Sequence, residues 1–541
     1  MSHYFRKPKT QLLASLLKAL RKSLKATEEN ISNNKTENFS PQRREFLKKA
    51  GKAVAAAGLL GAFESCRKTI QKIAPYDLDT PMAANNGATA SRIAIVGAGM
   101  AGLHAGFILK QKGFSAQVFE GSNRIGGRMY SAQNILGAGL TTELGGEFID
   151  SVHKDMLKLV NTFNLDLIDT RTTSETALQY QAYYFNGIHY SEQQVINEFS
   201  LYASHIERDI QSLSPIVTAD QHTANDEFFD RMSIAAYFDR IGLQGWLREL
   251  FDVAYLTEYG LSISQQTSLN FLLLISPRVN NNHFDIFGVS DERYKVLGGN
   301  QQICDRLAQQ LEGQIQTGHE LVSIRQNNNK TYDLNFKVNN TTKTITCDIL
   351  LITIPFTLLR NVSVQPAWPE WKRKAIFDIG YGNNSKLMIG FVKRYWRDLG
   401  FAGYYFTDSK LQSGWDNSEL QAPVTGGLTI YSGGDQALAV GNGSIATQVN
   451  SHLPIVNQMF PGAIANYNGK AERFIWPTYK WTKASYTCFY PGQYTTIAGN
   501  EMKPVDNIFF AGEHCSYNFQ GFMNGAAETG RRAAEEIIKI L

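Results

Sequence analysis

A glycine-rich turn set between a buried strand and a helix constrains this chain more than any other stretch. Ile93 to Val96 is an apolar run short enough for one strand of a parallel sheet covered on both faces. Gly97, Gly99 and Gly102 follow as G-x-G-x-x-G. In that arrangement the first glycine makes a tight turn, the second lets backbone approach a pyrophosphate, and the third lets the next helix pack against the strand. That helix reads over Met100 to Lys112. Its N-terminal N–H groups and positive dipole end point at the same place, so Met100 and Ala101 join the glycines as candidate ligands. Context gives the motif its specificity. Phe114 to Glu120 reads as a second strand, and Glu120 closes it eighteen residues past Gly102. An acid there reaches the ribose hydroxyls of an adenine dinucleotide.

The next segments extend the same site. Gly121-Ser-Asn-Arg-Ile-Gly-Gly-Arg-Met129 suits a loop that wraps a diphosphate, with Gly121 and Gly127 in its turns and forks from Arg124 and Arg128 meeting phosphate oxygens. Thr142-Glu-Leu-Gly-Gly-Glu-Phe-Ile-Asp150 places Gly145 and Gly146 in a second turn between extended segments. The run GAGMAG, VFEGSNRIGGR and ELGGEFID resembles the flavin-containing amine oxidase family, which includes monoamine, polyamine and L-amino acid oxidases. The resemblance covers roughly Ser91 to Leu541. It implies FAD, not NAD, and a Rossmann-type α/β FAD-binding domain that is discontinuous in sequence. Beside it the resemblance implies an α+β substrate domain of mixed sheet and helices.

The boundaries expected are 91–150, 290–360 and 476–541 for the FAD-binding domain. The substrate domain is expected over 151–289, mainly helical, and 361–475, mainly sheet. Helical periodicity supports the first part at Ile206 to Leu213, Ile234 to Ile241 and Trp246 to Tyr255. Ile376 to Trp396 and Gly403 to Thr407 read mainly as strands. Tyr294 to Ala308 matches the family's segment returning to the FAD domain, where a helix starts after Gly-Gly.

Composition separates an N-terminal extension from the body. The formal net charge is +4, yet residues 1–73 hold 16 Lys and Arg against 5 Asp and Glu, leaving 37 against 44 for the rest. The body is therefore mildly acidic, and nucleic acid is not an expected partner. Residues 1–66 read as an export region. Ser40-Pro-Gln-Arg-Arg-Glu-Phe-Leu-Lys48, followed by the weakly apolar Ala53 to Phe63, resembles a twin-arginine signal for export of a folded protein, with a basic helix start as the plainer alternative. The expected partner is the export machinery and the expected place the periplasm, against a cytoplasmic alternative. Cys66 is a candidate lipid anchor, and residues 67–90 read as a flexible linker. No apolar run reaches the ~18 residues that span a bilayer as a helix. The five cysteines include no C-x-x-C pair, so no zinc site or redox dithiol is signalled.

The residues of the chemistry come from the resemblance. Lys386, inside the strand-like Tyr381 to Phe391, matches the lysine that holds a water against flavin N5 and assists reoxidation. A lysine facing inwards there needs hydrogen bonds or neutralisation. Trp481 to Gly492 matches the segment below the isoalloxazine. Ser485 takes the place of the cysteine that bonds the flavin in the monoamine oxidase branch, so non-covalent FAD is expected, and Tyr486 is the first aromatic wall of the substrate cage. Phe522 is the second, and both could instead be core aromatics. Gly512 and Glu513 end an apolar strand, the acid accepting from ribityl hydroxyls. Phe522 and Met523 open a final helix, within Gln520 to Gly530, near the flavin pyrimidine edge. Backbone near Val322 meets the adenine.

The implied reaction moves a hydride from the α-carbon of an amine or L-amino acid to flavin, with dioxygen as acceptor. The substrate is left open. Glu147 and Phe148 are expected beside the cavity, the acid favouring a cationic amine. Arg278 and Arg293 are candidate carboxylate clamps. Tryptophan 2-monooxygenase-like chemistry is one alternative; carotenoid desaturase-like or protoporphyrinogen oxidase-like chemistry and a non-catalytic flavoprotein are others.

Overall fold

The computed structural model describes residues 73–78, 91–277 and 284–541. The twin-arginine segment, Cys66 and Arg278 lie outside the described residues.

Ile93–Val96 forms β1, Met100–Gln111 forms α1, and Ala116–Phe119 forms β2. β1 is the centre of a five-stranded sheet, ordered Ile508–Phe510, Ile349–Ile352, β1, β2, Ile315–Gln316. Every pair is parallel. The register sets Val96 beside Phe119 and Ile352, and Ile352 beside Phe510. The strands therefore end together, and the crevice beyond their carboxyl ends is where such sheets bind ligands. β1 and Ile349–Ile352 are buried throughout, as continuous apolar runs require.

The C-terminal helix, Met523–Ile538, packs on α1. A Cβ on Gly530 would lie 2.3 Å from the Ala101 carbonyl oxygen, so the two helices meet backbone to backbone. His104 lies in that contact, its Nδ1 2.8 Å from the Ala527 carbonyl. Burial pushes its pKa down to about 4, which keeps the ring neutral.

A second layer is a seven-stranded sheet, ordered Tyr467–Ile475, Asn384–Phe391, Gly426–Gly433, Ser413–Asp416, Phe401–Thr407, Gln179–Phe185, Ile188–Tyr190. Pairing is antiparallel except between Phe401–Thr407 and Gln179–Phe185. Asn384–Phe391 is fully buried. Leu387, Ile389 and Phe391 pack on one face with Val449 and Leu453 of the helix Ile445–Met459. Lys386 and Met388 alternate to the other face, where Met388 joins Leu136, Leu140 and Leu144.

Three expectations need correction. The helical part of the substrate domain also contains the hairpin Gln179–Phe185 and Ile188–Tyr190, whose aromatic residues fit a pleated surface. The stretch read as strand from Ile376 instead begins in the helix Glu370–Asp378 and has a helical turn at Tyr395–Asp398, so only Asn384–Phe391 is strand. Residues 73–78, assigned to the linker, are docked. Tyr76 N donates to Thr162 Oγ1 at 2.9 Å, its ring meets Phe107 edge-on at 5.4 Å, and Lys158 Nζ lies 3.7 Å from its centroid.

Candidate active site

One cavity, with a volume of about 550 Å³, runs from the glycine turn to the face of the seven-stranded sheet. The three glycines of the turn do different things. Gly97 has φ +110°, and a Cβ there would be 2.5 Å from Thr353 Oγ1. A Cβ on Gly102 would lie 2.0 Å from the Gly97 carbonyl oxygen, inside the turn itself. Gly99 has room: a Cβ there would meet only Gly127 Cα, at 3.9 Å. Gly99 and Gly127 thus present bare backbone to the cavity beside the N-terminus of α1, whose cap carries no side chain. Met100, Ala101, Gly121 and Val322 line the same end, and Val322 is 37% exposed.

Glu120 sits there too, its Oε2 accepting from Ala98 N and its Oε1 from Ser122 N, both at 2.8 Å. These bonds fix the carboxylate at the end of β2. Arg124 differs from the expected phosphate fork. It lies 4.0 Å over the Tyr130 ring, and its Nη atoms donate to the carbonyls of Ile125, Met129 and Gly127. Its Nη donors shape its own loop, while its buried Nε has no protein acceptor. Arg128 donates from Nη1 to Ser485 O at 2.7 Å and to Glu513 Oε1 at 2.8 Å.

The middle of the cavity is built on Glu513. Its Oε2 accepts from Gly521 N at 2.9 Å, so it ties Arg128 to the loop before the C-terminal helix. Gly512 takes φ +139° to make that corner. Phe522 is the N-cap of the helix and Met523 its first residue, with no side chain over the helix N-terminus. Met523 packs on Gly146, and Gly145 packs on the Arg128 carbonyl, where any Cβ would come within 1.9 Å. An adenine dinucleotide with an extended middle fits this groove: bare glycine backbone at one helix N-terminus, an acid at the end of β2, and a second uncapped helix at the far end. FAD would be held by Gly97, Gly99, Glu120, Arg128 and Glu513.

The remaining arm is aromatic. Tyr486 O–H donates to the Glu258 carbonyl at 2.5 Å, and its oxygen lies 2.9 Å from Tyr431 Oη, which fixes the ring. Phe522 packs against His153 at 5.3 Å. Burial pushes His153 down to about 3, so the ring beside the wall is neutral. Trp415 and Phe148 meet edge to face at 5.3 Å. Lys386 enters from the strand Asn384–Phe391, 3% exposed. Its Nζ donates to Glu143 O at 3.0 Å, Gly145 O at 2.9 Å and Glu147 Oε2 at 2.8 Å. The inward lysine thus has both hydrogen bonds and a counter-ion. Glu147 is not the free anion expected for a cationic amine, because Lys386 and Lys295 pair with it from its two oxygens.

The structure brings every proposed cofactor and catalytic residue except Gly102 into the lining of this cavity; Gly102 underlies it. Ser485 lines it as well, donating to Asn384 Oδ1 at 2.7 Å, whereas Cys488 is fully buried behind it and accepts from Asn270. Arg293 is no clamp: Asp169 takes its guanidinium at 2.9 and 2.8 Å.

Several residues escaped the sequence reading. Arg171 lines the substrate arm, 4.2 Å over the Tyr180 ring, with Nη2 on the Asp291 carbonyl. Glu258 and Glu292 line it too. Burial, then Asp150, pushes Glu258 up to about 7; burial, then Glu258 and Asp150, pushes Glu292 up to about 8. Lys295 carried a usable signal, a charge between Tyr294 and Val296 in a fully buried strand.

Residues 100–538 match the family model described as flavin containing amine oxidoreductase. An L-amino-acid oxidase of Sistrurus catenatus edwardsii is 22% identical over 480 residues, 84% of this chain and 89% of that protein. An L-amino acid dehydrogenase of Synechocystis is 24% identical over 474 residues, 83% of this chain and 94% of that protein. Cyclohexylamine oxidase from Brevibacterium oxydans superposes with a TM-score of 0.72 at 18% identity, covering 84% of this chain and 99% of that one. A putrescine oxidase bound to putrescine gives 0.71 at 18% identity, over 83% and 99%.

Proposed function

The chain belongs to the flavin containing amine oxidoreductase family, and on that premise we propose that it oxidises a small amine or L-amino acid with non-covalently bound FAD, dioxygen being the final acceptor. The observation that carries the reading is the single cavity joining the Gly97–Gly102 turn to Lys386, Tyr486 and Phe522. FAD held by Gly97, Gly99, Glu120, Arg128 and Glu513 would supply the redox chemistry, as hydride acceptor from the substrate α-carbon and electron donor to dioxygen, with hydrogen peroxide as the by-product.

The chain's own residues do the rest. Tyr486 and Phe522 flank the amine and restrict its approach, which lowers the entropic part of the barrier. Tyr486 holds its plane because its hydroxyl is tied to Tyr431 and the Glu258 carbonyl. Phe148, Trp415 and Tyr404 keep the arm apolar and exclude bulk water. Lys386 holds a fixed positive charge at the flavin end. The imine product is hydrolysed to a carbonyl compound and ammonia, or ammonia's substituted equivalent.

Arg171 favours the amino-acid reading within this proposal. Among the described residues it is the arginine that lines the aromatic arm, where it suits a substrate carboxylate. The test is anaerobic mixing of the yellow protein with a panel of amines and L-amino acids, following flavin absorbance. Bleaching by at least one class is expected, and no bleaching by any sinks the reading. Release of carbon dioxide with a carboxamide product would assign monooxygenase chemistry instead. Export belongs to the same proposal: Arg43→Lys with Arg44→Lys should retain the protein in the cytoplasmic fraction, and unchanged fractionation would reject the twin-arginine route.

A further inference from the structure

Lys386 has no free end. An ammonium carries three donors, and the carbonyls of Glu143 and Gly145 and the Oε2 of Glu147 take them, at 3.0, 2.9 and 2.8 Å. The other oxygen of Glu147 lies 3.3 Å from Lys295 Nζ. Lys386, Glu147 and Lys295 are 3%, 4% and 5% exposed. They come from three separate elements: the strand Asn384–Phe391, the second Gly-Gly turn and the short strand Tyr294–Val296. The aromatic pair supports both cations. Lys386 Nζ lies 5.1 Å from the Trp415 centroid and Lys295 Nζ 5.1 Å from that of Phe148.

Burial alone would discharge each group. For Glu147 burial is the largest influence, yet Lys386 and then Lys295 outweigh it and hold the carboxyl below its ordinary range. Lys295 is held above its ordinary value against burial, by Glu147 first and then Glu419 and Asp416. The other carboxyls facing this group are Glu143, Glu292, Glu419 and Asp416, and burial pushes each toward its neutral form. Glu143 and Glu419 are also engaged by Ser131 and Tyr404. Tyr431 is the cross-strand neighbour of Lys386. Glu147 is thus the carboxylate shared by two lysines, and the three side chains carry one net positive charge.

We propose that Glu147 is a positioning residue: it fixes the Lys386 ammonium through one oxygen and is itself anchored by Lys295 through the other, so that the flavin end of the cavity faces a single positive charge on a fixed nitrogen. The proposal rests on the reading that flavin lies along this cavity.

Glu147→Gln leaves two lysines across a neutral amide. At low pH the site then carries one positive charge more than the wild type, which favours reduced flavin. Two buried like charges without Glu147 between them favour loss of one proton as pH rises, which removes the excess. The measurement is the midpoint potential of the bound flavin against pH, by redox titration without substrate. Glu147→Gln should lie above the wild type in acid and fall more steeply as pH rises. Adding Lys295→Met removes the surplus charge and should return the profile to that of the wild type. A merely structural Glu147 predicts the opposite, a double variant at least as perturbed as the single one. Superimposable profiles for Glu147→Gln and wild type, or a double variant that stays displaced, would overturn the proposal. Should Glu147→Gln fail to fold, Lys295→Met alone decides. It leaves a neutral Lys386–Glu147 pair and should lower the potential, and an unchanged potential overturns the idea. Thermal unfolding of the cofactor-free variants gives a second readout: Glu147→Gln with Lys386→Met should be less destabilising than the sum of the two single changes. The activity reading fails separately, since a flavoprotein bleached by no substrate still yields these potentials.

Discussion

At the scale of single residues, the cavity is decided by how charge is placed in a nearly dry space. Lys386 is the first case. Lys386→Met should leave FAD bound, because none of Gly97, Gly99, Glu120, Arg128 and Glu513 is held by it. It should slow reoxidation of the reduced protein by dioxygen by about tenfold or more, about 1.4 kcal/mol of barrier; an unchanged rate in stopped-flow would remove Lys386 from the chemistry. The cofactor-free variant should lose about 2 kcal/mol, less than the about 3–5 kcal/mol usual for breaking a buried pair, since Lys295 still neutralises Glu147. Glu258 and Glu292 are the second case. Their carboxyls are raised to about 7 and about 8. From about pH 5 upward the unfolded chain has released these protons while the folded chain keeps them, so stability falls with rising pH until about pH 8 and then levels. Glu143 and Glu501, both raised by burial to about 7, add to the same slope. Glu258→Gln with Glu292→Gln should flatten it in part, read as melting temperature against pH on the cofactor-free protein. An unchanged slope would mean that these two carboxyls are ionised in the folded state.

At the scale of elements, the β1–α1 turn separates what folds the chain from what binds its ligand. The G-x-G-x-x-G spacing by itself points to helix–strand packing at the third glycine. The structure refines this, since the space a Cβ on Gly102 needs is held by the Gly97 carbonyl of the same turn and by Thr353 beyond Ile349–Ile352. Neither is a flexible side-chain end that can swing away without losing Thr353 Oγ1's bonds to the Val96 and Gly97 carbonyls. Gly102→Ala should therefore cost about 3 kcal/mol or more and abolish cofactor binding with the fold. Gly99→Ala should do the reverse. Its backbone is φ −78°, ψ −176°, which any residue adopts, and its Cβ meets open cavity. Stability should stay within about 1 kcal/mol of the wild type, while the methyl stands where phosphate must approach and weakens FAD binding by about tenfold or more. Melting curves and flavin fluorescence titration on both variants check this. Equal loss of stability in the two would refute the division of labour.

At the scale of the whole molecule, a reader of the sequence could see the ligand-binding sheet but not the charge balance that completes its site. The β1–α1–β2 unit is local: one strand, three glycines, one helix and one acid within thirty residues, each readable from its neighbours. Tyr486, Phe522, Glu513 and Lys386 were legible only through family resemblance, because their convergence depends on a chain that leaves the first sheet and returns to it more than once. Lys295, Arg171 and Glu258 were missed because burial and pairing are tertiary facts; Lys295 meets Glu147 from 148 residues away. Glu147 is legible as an acid beside the cavity, but its pairing with Lys386 and Lys295 is not, because the three lie far apart in the sequence. The same tertiary logic bears on the flavin linkage. Cys304, Cys347, Cys488 and Cys515 are the free cysteines among the described residues, and all are buried. None lines the cavity, and Ser485 occupies the lining where a thiol would be needed. Burial also holds the Cys488 thiol far above its ordinary range, which disfavours the nucleophilic thiolate. FAD is therefore expected to be retained by folded groups drawn from distant parts of the chain and released when they separate. Acid precipitation should leave the yellow colour in the supernatant, and colour pelleting with the protein would refute the non-covalent reading. Because the ligand binds the folded state alone, added FAD at a hundred times its dissociation constant should stabilise the protein by about 2.7 kcal/mol. A melting temperature that ignores FAD concentration would show that this groove is not its site.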